Sequence, residues 1–263
     1  MDHEHAKALA ADYDEFVNWA ARLEREAPLF RRVFDDVAAQ RVLDVGAGSA
    51  RHAIMFATWG LEVWAVDPDD SMLAQAEANL EKAAREIDRA GGAVHLVKGG
   101  FGELAALGLG PADVLTCTGN ALPHVGSHAG LRDALQDFAA VTRSGGALVL
   151  HLLNHARLLH SGPRAIPPVV RDTPEGTKVF LRIIDYPEGG EVLDFDFVTL
   201  IRDAEGGWQV SDRRSPHTAL PVELLTEELS AAGFVDVELL GNHAGKPLEV
   251  DSDESVIIVA HRR

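Results

Sequence analysis

The apolar positions of this chain change period several times along its length. Phe16, Trp19, Ala20 and Leu23 recur at helical spacing, and Leu29, Val33 and Val37 continue the rhythm past Pro28, so residues 1–40 predict a helical leading segment. The texture then alternates. Residues 41–45 are a short β-rich run ending in Gly46-Ala47-Gly48, followed by a helix-compatible stretch through Phe56. Residues 61–66 predict a second strand, closed by Asp67-Pro68. A helix follows from Ser71, with Met72, Leu73, Ala76, Leu80, Ala83 and Ile87 on one face and Asp69, Asp70 or Ser71 as its cap. Gly91-Gly92 ends it, and residues 94–97 and 113–117 predict two more strands. Leu131, Leu135, Phe138 and Val141 mark another helix, and residues 147–153 a fifth strand. Strands alternating with helices at this spacing imply parallel pairing in a doubly wound α/β sheet.

The rhythm breaks over residues 155–220. Pro163, Pro167, Pro168 and Pro174 exclude long helices there. Residues 178–186, 191–202 and 207–213 instead predict three successive strands, joined by Pro187-Glu188-Gly189-Gly190 and Asp203-Ala204-Glu205-Gly206. A helix at 222–232 and strands at 234–240 and 255–261 complete the pattern. The expectation is one domain over residues 1–263: a mostly parallel sheet of seven strands carrying a three-stranded antiparallel β insert as a flap.

Charge narrows the function classes. The chain has 24 Lys and Arg against 41 Asp and Glu, a formal charge of −17, which would repel nucleic-acid phosphates and anionic lipid. Its single cysteine, Cys117, cannot form an internal disulfide, and no cysteine cluster suggests structural zinc. No apolar run approaches the roughly 20 residues that cross a bilayer. Met1-Asp2-His3-Glu4-His5 is polar, unlike a signal peptide, so a cytoplasmic protein with a small-molecule substrate is expected. Composition leaves the oligomeric state open.

The strongest chemical signal is the segment from Val42 to Ala50, with Asp67 at the tip of the next strand. A glycine turn at a strand's carboxyl end lets a ligand approach the backbone, and the following helix offers free N–H groups. An acid on the neighbouring strand is placed to accept both hydroxyls of a ribose. A dinucleotide site asks for a third glycine where this chain has Arg51, which disfavours a nicotinamide-dependent oxidoreductase.

The Asp44-x-Gly46-x-Gly48 form resembles the S-adenosylmethionine turn of class I methyltransferases, whose seven-stranded plan ends in a hairpin as this chain is predicted to. Further along, Cys117-Thr118-Gly119-Asn120-Ala121-Leu122-Pro123-His124 resembles the C-x-G-N-x-x-x-H segment of glycine N-methyltransferase and its bacterial small-molecule relatives. Tyr13-Asp14-x-Phe16-Val17-x-Trp19-x-x-Arg22-Leu23 is similar to their leading helix. The resemblance implies S-adenosyl-L-methionine as cofactor, with Asp67 on its ribose, Asp44, Gly46, Ala47 and Gly48 beneath its amino-acid tail and Arg22 on its carboxylate. Phe101 and Gly100 would border adenine; Tyr13, Pro68, Met72, Cys117 and Gly119 would complete the contacts. Asn120 and His124 would face the reacting centre, Asn120 through its side-chain carbonyl. Asn154 would meet the acceptor. Apart from the resemblance, His217 in the flap is a further candidate for it, and strand alternation puts Arg182 on the face with Phe180 and Ile184, where it either clamps a substrate carboxylate or faces solvent.

Three departures shape the acceptor. Ala50 replaces a glycine of the turn, Gly99-Gly100 stands where many relatives carry an acid, and His155-Ala156 follows Asn154 where they carry Tyr-Asp. An amine nitrogen of a molecule other than glycine is therefore the expected acceptor, with O-methylation or cofactor binding without turnover as alternatives. His124, His151, His155 and His217 are candidate bases, and each is equally explained as a hydrogen-bonded structural histidine. The pairs His124/His128 and His151/His155 lie on no common helix face, so no metal is expected. Cys117 in an apolar strand end suggests packing rather than nucleophilicity, and no Gly-x-Ser-x-Gly elbow points to a hydrolase.

Overall fold

The computed structural model describes residues 14–173, 176–203 and 205–263; Tyr13 lies outside them. Helix α1 (Trp19–Asp36) opens on Asn18, whose side chain accepts from the Ala21 N–H, and carries Pro28 within it. Strand β1 (Arg41–Val45), helix α2 (Arg51–Ala57), strand β2 (Glu62–Asp67), helix α3 (Asp70–Ala90) and strand β3 (Ala93–Lys98) follow in strict alternation. Asp69 caps α3 by accepting from the N–H groups of Ser71 and Met72. Then come β4 (Ala112–Cys117), a 3-10 turn at Leu122–Val125, α4 (His128–Val141) and β5 (Thr142–Leu153).

These strands, with β10 (Phe234–Leu240) and β11 (Ser255–Arg262), form a seven-stranded sheet in the order β10-β11-β5-β4-β1-β2-β3. Pairing is parallel from β5 to β3, and only β11 runs against its neighbours. Alternate strand residues feed two cores. Leu43, Val45, Leu115, Leu148 and Leu150 join the layer containing Leu131, Leu135 and Phe138 of α4. Val42, Val63, Ala65, Val114 and Val149 face the other layer, where Phe30 and Phe34 of α1 meet Phe56 of α2 with ring centroids 5.0 and 4.8 Å apart. Because the parallel strands all end at one edge, the tips of β1, β2, β4 and β5 are brought together there, with α1 on one flank.

The insert differs from expectation in two ways. It is a four-stranded antiparallel sheet, β6 (Ala165–Thr173), β7 (Gly176–Asp185), β8 (Val192–Arg202) and β9 (Trp208–Thr218), preceded by a short helix α5 (His155–Ser161). The unpredicted β6 contains Pro167 and Pro168, which donate no N–H. It is tolerated because β6 is an edge strand whose register shifts between Ile166 and Val169, where those prolines sit. Strand β9 also outruns its expected end at Arg213, reaching Thr218. Leu158, Ile184, Leu193, Phe195 and Ala219 form a separate apolar cluster at the root of the insert, and helix α6 (Val222–Ala231) returns the chain to the main sheet.

Arg182 lies on the face with Lys178, Phe180 and Ile184, the sequence's own alternation, and Lys178, Phe180 and Ile184 are buried. No helix among the described residues is long and apolar enough to cross a membrane.

Asp113 ties the far edge of the sheet. Its Oδ2 accepts from the N–H groups of Gln40 and Arg41, both at 2.8 Å, and its Oδ1 from Arg143 Nε at 2.6 Å. Asp113→Ala is expected to cost about 2 kcal/mol, since backbone donors lose a charged acceptor. Denaturant unfolding should show a lower midpoint with an unchanged slope.

Candidate active site

The glycine turn after β1 depends on left-handed backbone. Gly46 and Gly48 have φ of +69° and +55°, and a Cβ on Gly46 would come 2.5 Å from that of Ala121. Ala50 also sits in this region, at φ +58°, as the N-cap of α2. Asp67 holds the turn: its Oδ2 accepts from Gly48 N–H at 2.8 Å and its Oδ1 from Asp69 N–H at 3.0 Å. Each oxygen keeps a further lone pair. Burial pushes the Asp67 and Asp44 carboxyls above the usual range, although Thr116 Oγ1 donates to Asp44 at 2.8 Å.

Asp14, just ahead of α1, locks the leading segment to this turn. It accepts from Ser49 Oγ at 2.5 Å, Arg51 Nη2 at 2.7 Å and Asn79 Nδ2 at 3.0 Å. Burial works against its charge, but these donors win and its carboxyl lies below the usual range. Arg51, which excludes the dinucleotide pattern, thus has a structural task.

Above the strand tips, beneath the insert, lies a cavity of about 620 Å³. Of the residues expected at the site, Arg22, Met72, Gly119, Asn120, His124, Arg182 and His217 line it. Asp44, Gly46, Gly48 and Asp67 form the adjoining turn. Phe101 packs towards Phe138, with ring centroids 6.1 Å apart, and Gly100 N–H donates to Glu103 Oε2 at 2.7 Å, which puts a carboxylate beside the double glycine. Cys117 is buried, and burial drives its thiol far up.

One expectation is corrected. Asn154 does not line the cavity: its Nδ2 donates to the carbonyls of Val250 and Asp253 at 2.7 and 2.9 Å, and its Oδ1 caps α5 through Arg157 N–H at 3.1 Å. Asn120 lines the cavity, and its Oδ1 accepts from Leu153 N–H at 2.9 Å while keeping a further lone pair. That leaves its amide to donate to His217 Nδ1 at 3.3 Å, so the His217 proton sits on Nε2. His217 stands edge-on to His124, centroids 4.6 Å apart. His124 opens into the cavity, and burial together with Arg213 holds its pKa below the usual histidine value.

Sequence reasoning missed a second polar cluster. Glu26 of α1 is fully buried, accepting from Arg22 Nε at 2.9 Å and pairing with His52 Nε2 at 2.7 Å. Burial opposes its charge, but His52 and Arg22 outweigh it and hold the carboxyl well below the usual range. His151 and His243 stand beside it, their rings 4.8 Å apart. The i, i+4 spacing of Arg22 and Glu26 was the one signal available in the chain. The histidine pairs weighed from sequence do not converge: His128 bonds the Ala219 carbonyl at 3.1 Å, and His155 Nδ1 accepts from Leu220 N–H at 2.9 Å.

Residues 42–146 match the family model of a methyltransferase domain. By structure, the chain is similar to an S-adenosylmethionine-dependent methyltransferase from Clostridium acetobutylicum, with a TM-score of 0.76 and 14% identity over 97% of this chain and 98% of that one. It is also similar to the methyltransferase CcbJ from Streptomyces caelestis, with a TM-score of 0.73 and 23% identity over 97% and 96%. By sequence, it is 30% identical to a glycine/sarcosine N-methyltransferase of Parasynechococcus marenigrum over 60% of this chain and 54% of that protein. The chain thus spans about half the length of the curated relatives it matches.

Burial keeps four imidazoles neutral, His151 and His217 down to about 3 and His155 and His243 down to about 4. Unfolded, each would take up a proton near 6.5, so the unfolded state binds more protons between pH 4 and 6.5, and stability falls as pH drops through that window. Thermal melts from pH 7 to 4.5 should show a steadily lower midpoint. His155→Gln should flatten that dependence by about one proton.

Proposed function

We propose that this protein transfers a methyl group from S-adenosyl-L-methionine to the amine nitrogen of a small molecule that carries an anionic group. The observation that carries the reading is a neutral histidine, His124, opening into a cavity beside the glycine turn and its buried acid. The 30% identity to a glycine/sarcosine N-methyltransferase supports nitrogen as the acceptor atom.

The residues at the strand tips fit the cofactor. Asp67 retains lone pairs for ribose hydroxyls, Gly46 has no room for a side chain, and Arg22 brings a guanidinium to the cavity wall. When bound, the cofactor supplies a methyl group on a sulfonium that is already a good leaving group. The chain's residues bind, align and deprotonate. An ammonium must lose its proton before its nitrogen can attack, and His124, neutral at neutral pH, is the base within the cavity. His217 is not that base, because its Nδ1 already accepts from Asn120 Nδ2 at 3.3 Å. Phe16, Phe180 and Phe197 exclude water from the same space.

The anionic group follows from charge. Arg22, Arg25, Arg157, Arg182 and Arg213 line the cavity against Glu26, Asp212 and Glu254, so cations outnumber carboxylates there in a chain of charge −17. The Arg182 guanidinium lies 5.1 Å from the Phe16 ring centroid, which steadies its plane for a bidentate grip.

Calorimetry with S-adenosylhomocysteine tests the cofactor, and Asp67→Ala should weaken binding at least tenfold; no binding by the wild type would end the reading. With an amine identified by screening amino acids, amino sugars and their hydroxyl analogues for a gained CH₂, His124→Gln should lower kcat about a hundredfold or more. Arg182→Ala should raise KM for an anionic amine by about tenfold or more and leave a neutral amine unchanged. Turnover confined to hydroxyl analogues would move the methyl group to oxygen.

A further inference from the structure

Methyl transfer as described makes no use of His243, although it is buried against the cavity wall. It sits in the segment joining β10 to β11 and faces His151 at the tip of β5 and Glu26 on α1. The ligand atoms of these three side chains all lie within 4.8 Å of one another. His151 Nδ1 and His243 Nε2 are both buried without a hydrogen-bond partner. Two buried imidazole nitrogens facing a carboxylate, each lacking a donor or acceptor, form an expensive arrangement unless something binds between them.

We infer that Glu26, His151 and His243 form a binding site for a divalent transition-metal ion of borderline softness, with zinc as the best fit. Two imidazoles and one carboxylate are a donor set such ions accept, and three protein ligands leave coordination positions for exchangeable donors. Both rings are neutral, the form that binds metal. Glu26 and His151 line the cavity, so the open positions face it and would take water or an oxygen donor of a small molecule.

The surroundings have the character of supporting shells. His52 Nε2 holds Glu26 Oε2 at 2.7 Å and Arg22 Nε holds Oε1 at 2.9 Å, fixing the carboxylate's direction while each oxygen keeps a lone pair. Glu26 Oε1 and His243 Nε2 are 3.8 Å apart, against about 3.3 Å for two donors on a tetrahedral zinc with bonds of about 2.0–2.1 Å. Binding therefore draws the ligands inwards, most of all across the widest gap. The Arg22 cation sets the affinity below that of an all-anionic site.

The test uses the whole chain with His3 and His5 replaced by alanine, so that no terminal imidazoles compete, after chelator treatment. Cobalt and zinc are titrated, cobalt by its visible ligand-field absorption and zinc by competition with a chromophoric chelator. One equivalent should bind, with affinity at least tenfold lower in His151→Ala and in His243→Ala and unchanged in His128→Ala. Zinc should also raise the thermal midpoint of the parent protein but not of either His151 or His243 variant. Melts of the unligated variants report whether each is folded; if one is not, the other carries the test, and Glu26→Gln adds a third. Absence of binding, or binding of equal strength in the folded variants, overturns the site. The readout is ion binding rather than turnover, so its failure leaves the methyl-transfer reading untouched.

Discussion

The buried carboxylate of Glu26 is the constraint around which this end of the molecule is organised. A charge with no exposure to water is tolerated only where its partners repay the desolvation, and here Arg22 and His52 do so. That requirement couples three elements. α1 must lie against α2 for His52 to reach, Arg22 must point towards the strand tips rather than into solvent, and the segment carrying His243 must close over both. The guanidinium at the cavity wall is thus held in place by a carboxylate one helical turn away. Glu26 is a positioning residue whatever else binds beside it.

A second theme is the separation of charge. The chain is strongly acidic overall, yet arginines from α1, α5, β7 and β9 converge on one cavity. An acidic exterior repels polyanions at long range, whereas guanidiniums lining a cavity act at short range on a small anion. The insert supplies Arg182 and Arg213 to that cavity.

Legibility in the sequence followed the range of the interaction. The glycine turn and the acid on β2 could be read because a strand, a turn and a helix cap are local, and Asp67 needs only a fixed spacing to reach Gly48. Arg182 could be placed on a face because alternation along one strand settles it. Strand β6 was hidden by Pro167 and Pro168, whose effect depends on β6 being an edge, a property of the whole sheet. Asn154 was read as a ligand contact because an asparagine at a strand tip offers the same groups to a ligand as to a backbone. Only folding shows that the Val250 and Asp253 carbonyls claim its amide first.

By itself the sequence determined the alternating α/β order, the turn at Gly46–Gly48 and the presence of an antiparallel insert, because periodicity and glycine conformation act over a few residues. The tertiary structure decided which polar groups meet. Glu26, His151 and His243 are separated by most of the chain and share no motif. They come together because three elements that end at one edge of a parallel sheet must pack there, leaving a buried carboxylate that has to be answered by whatever lies nearest.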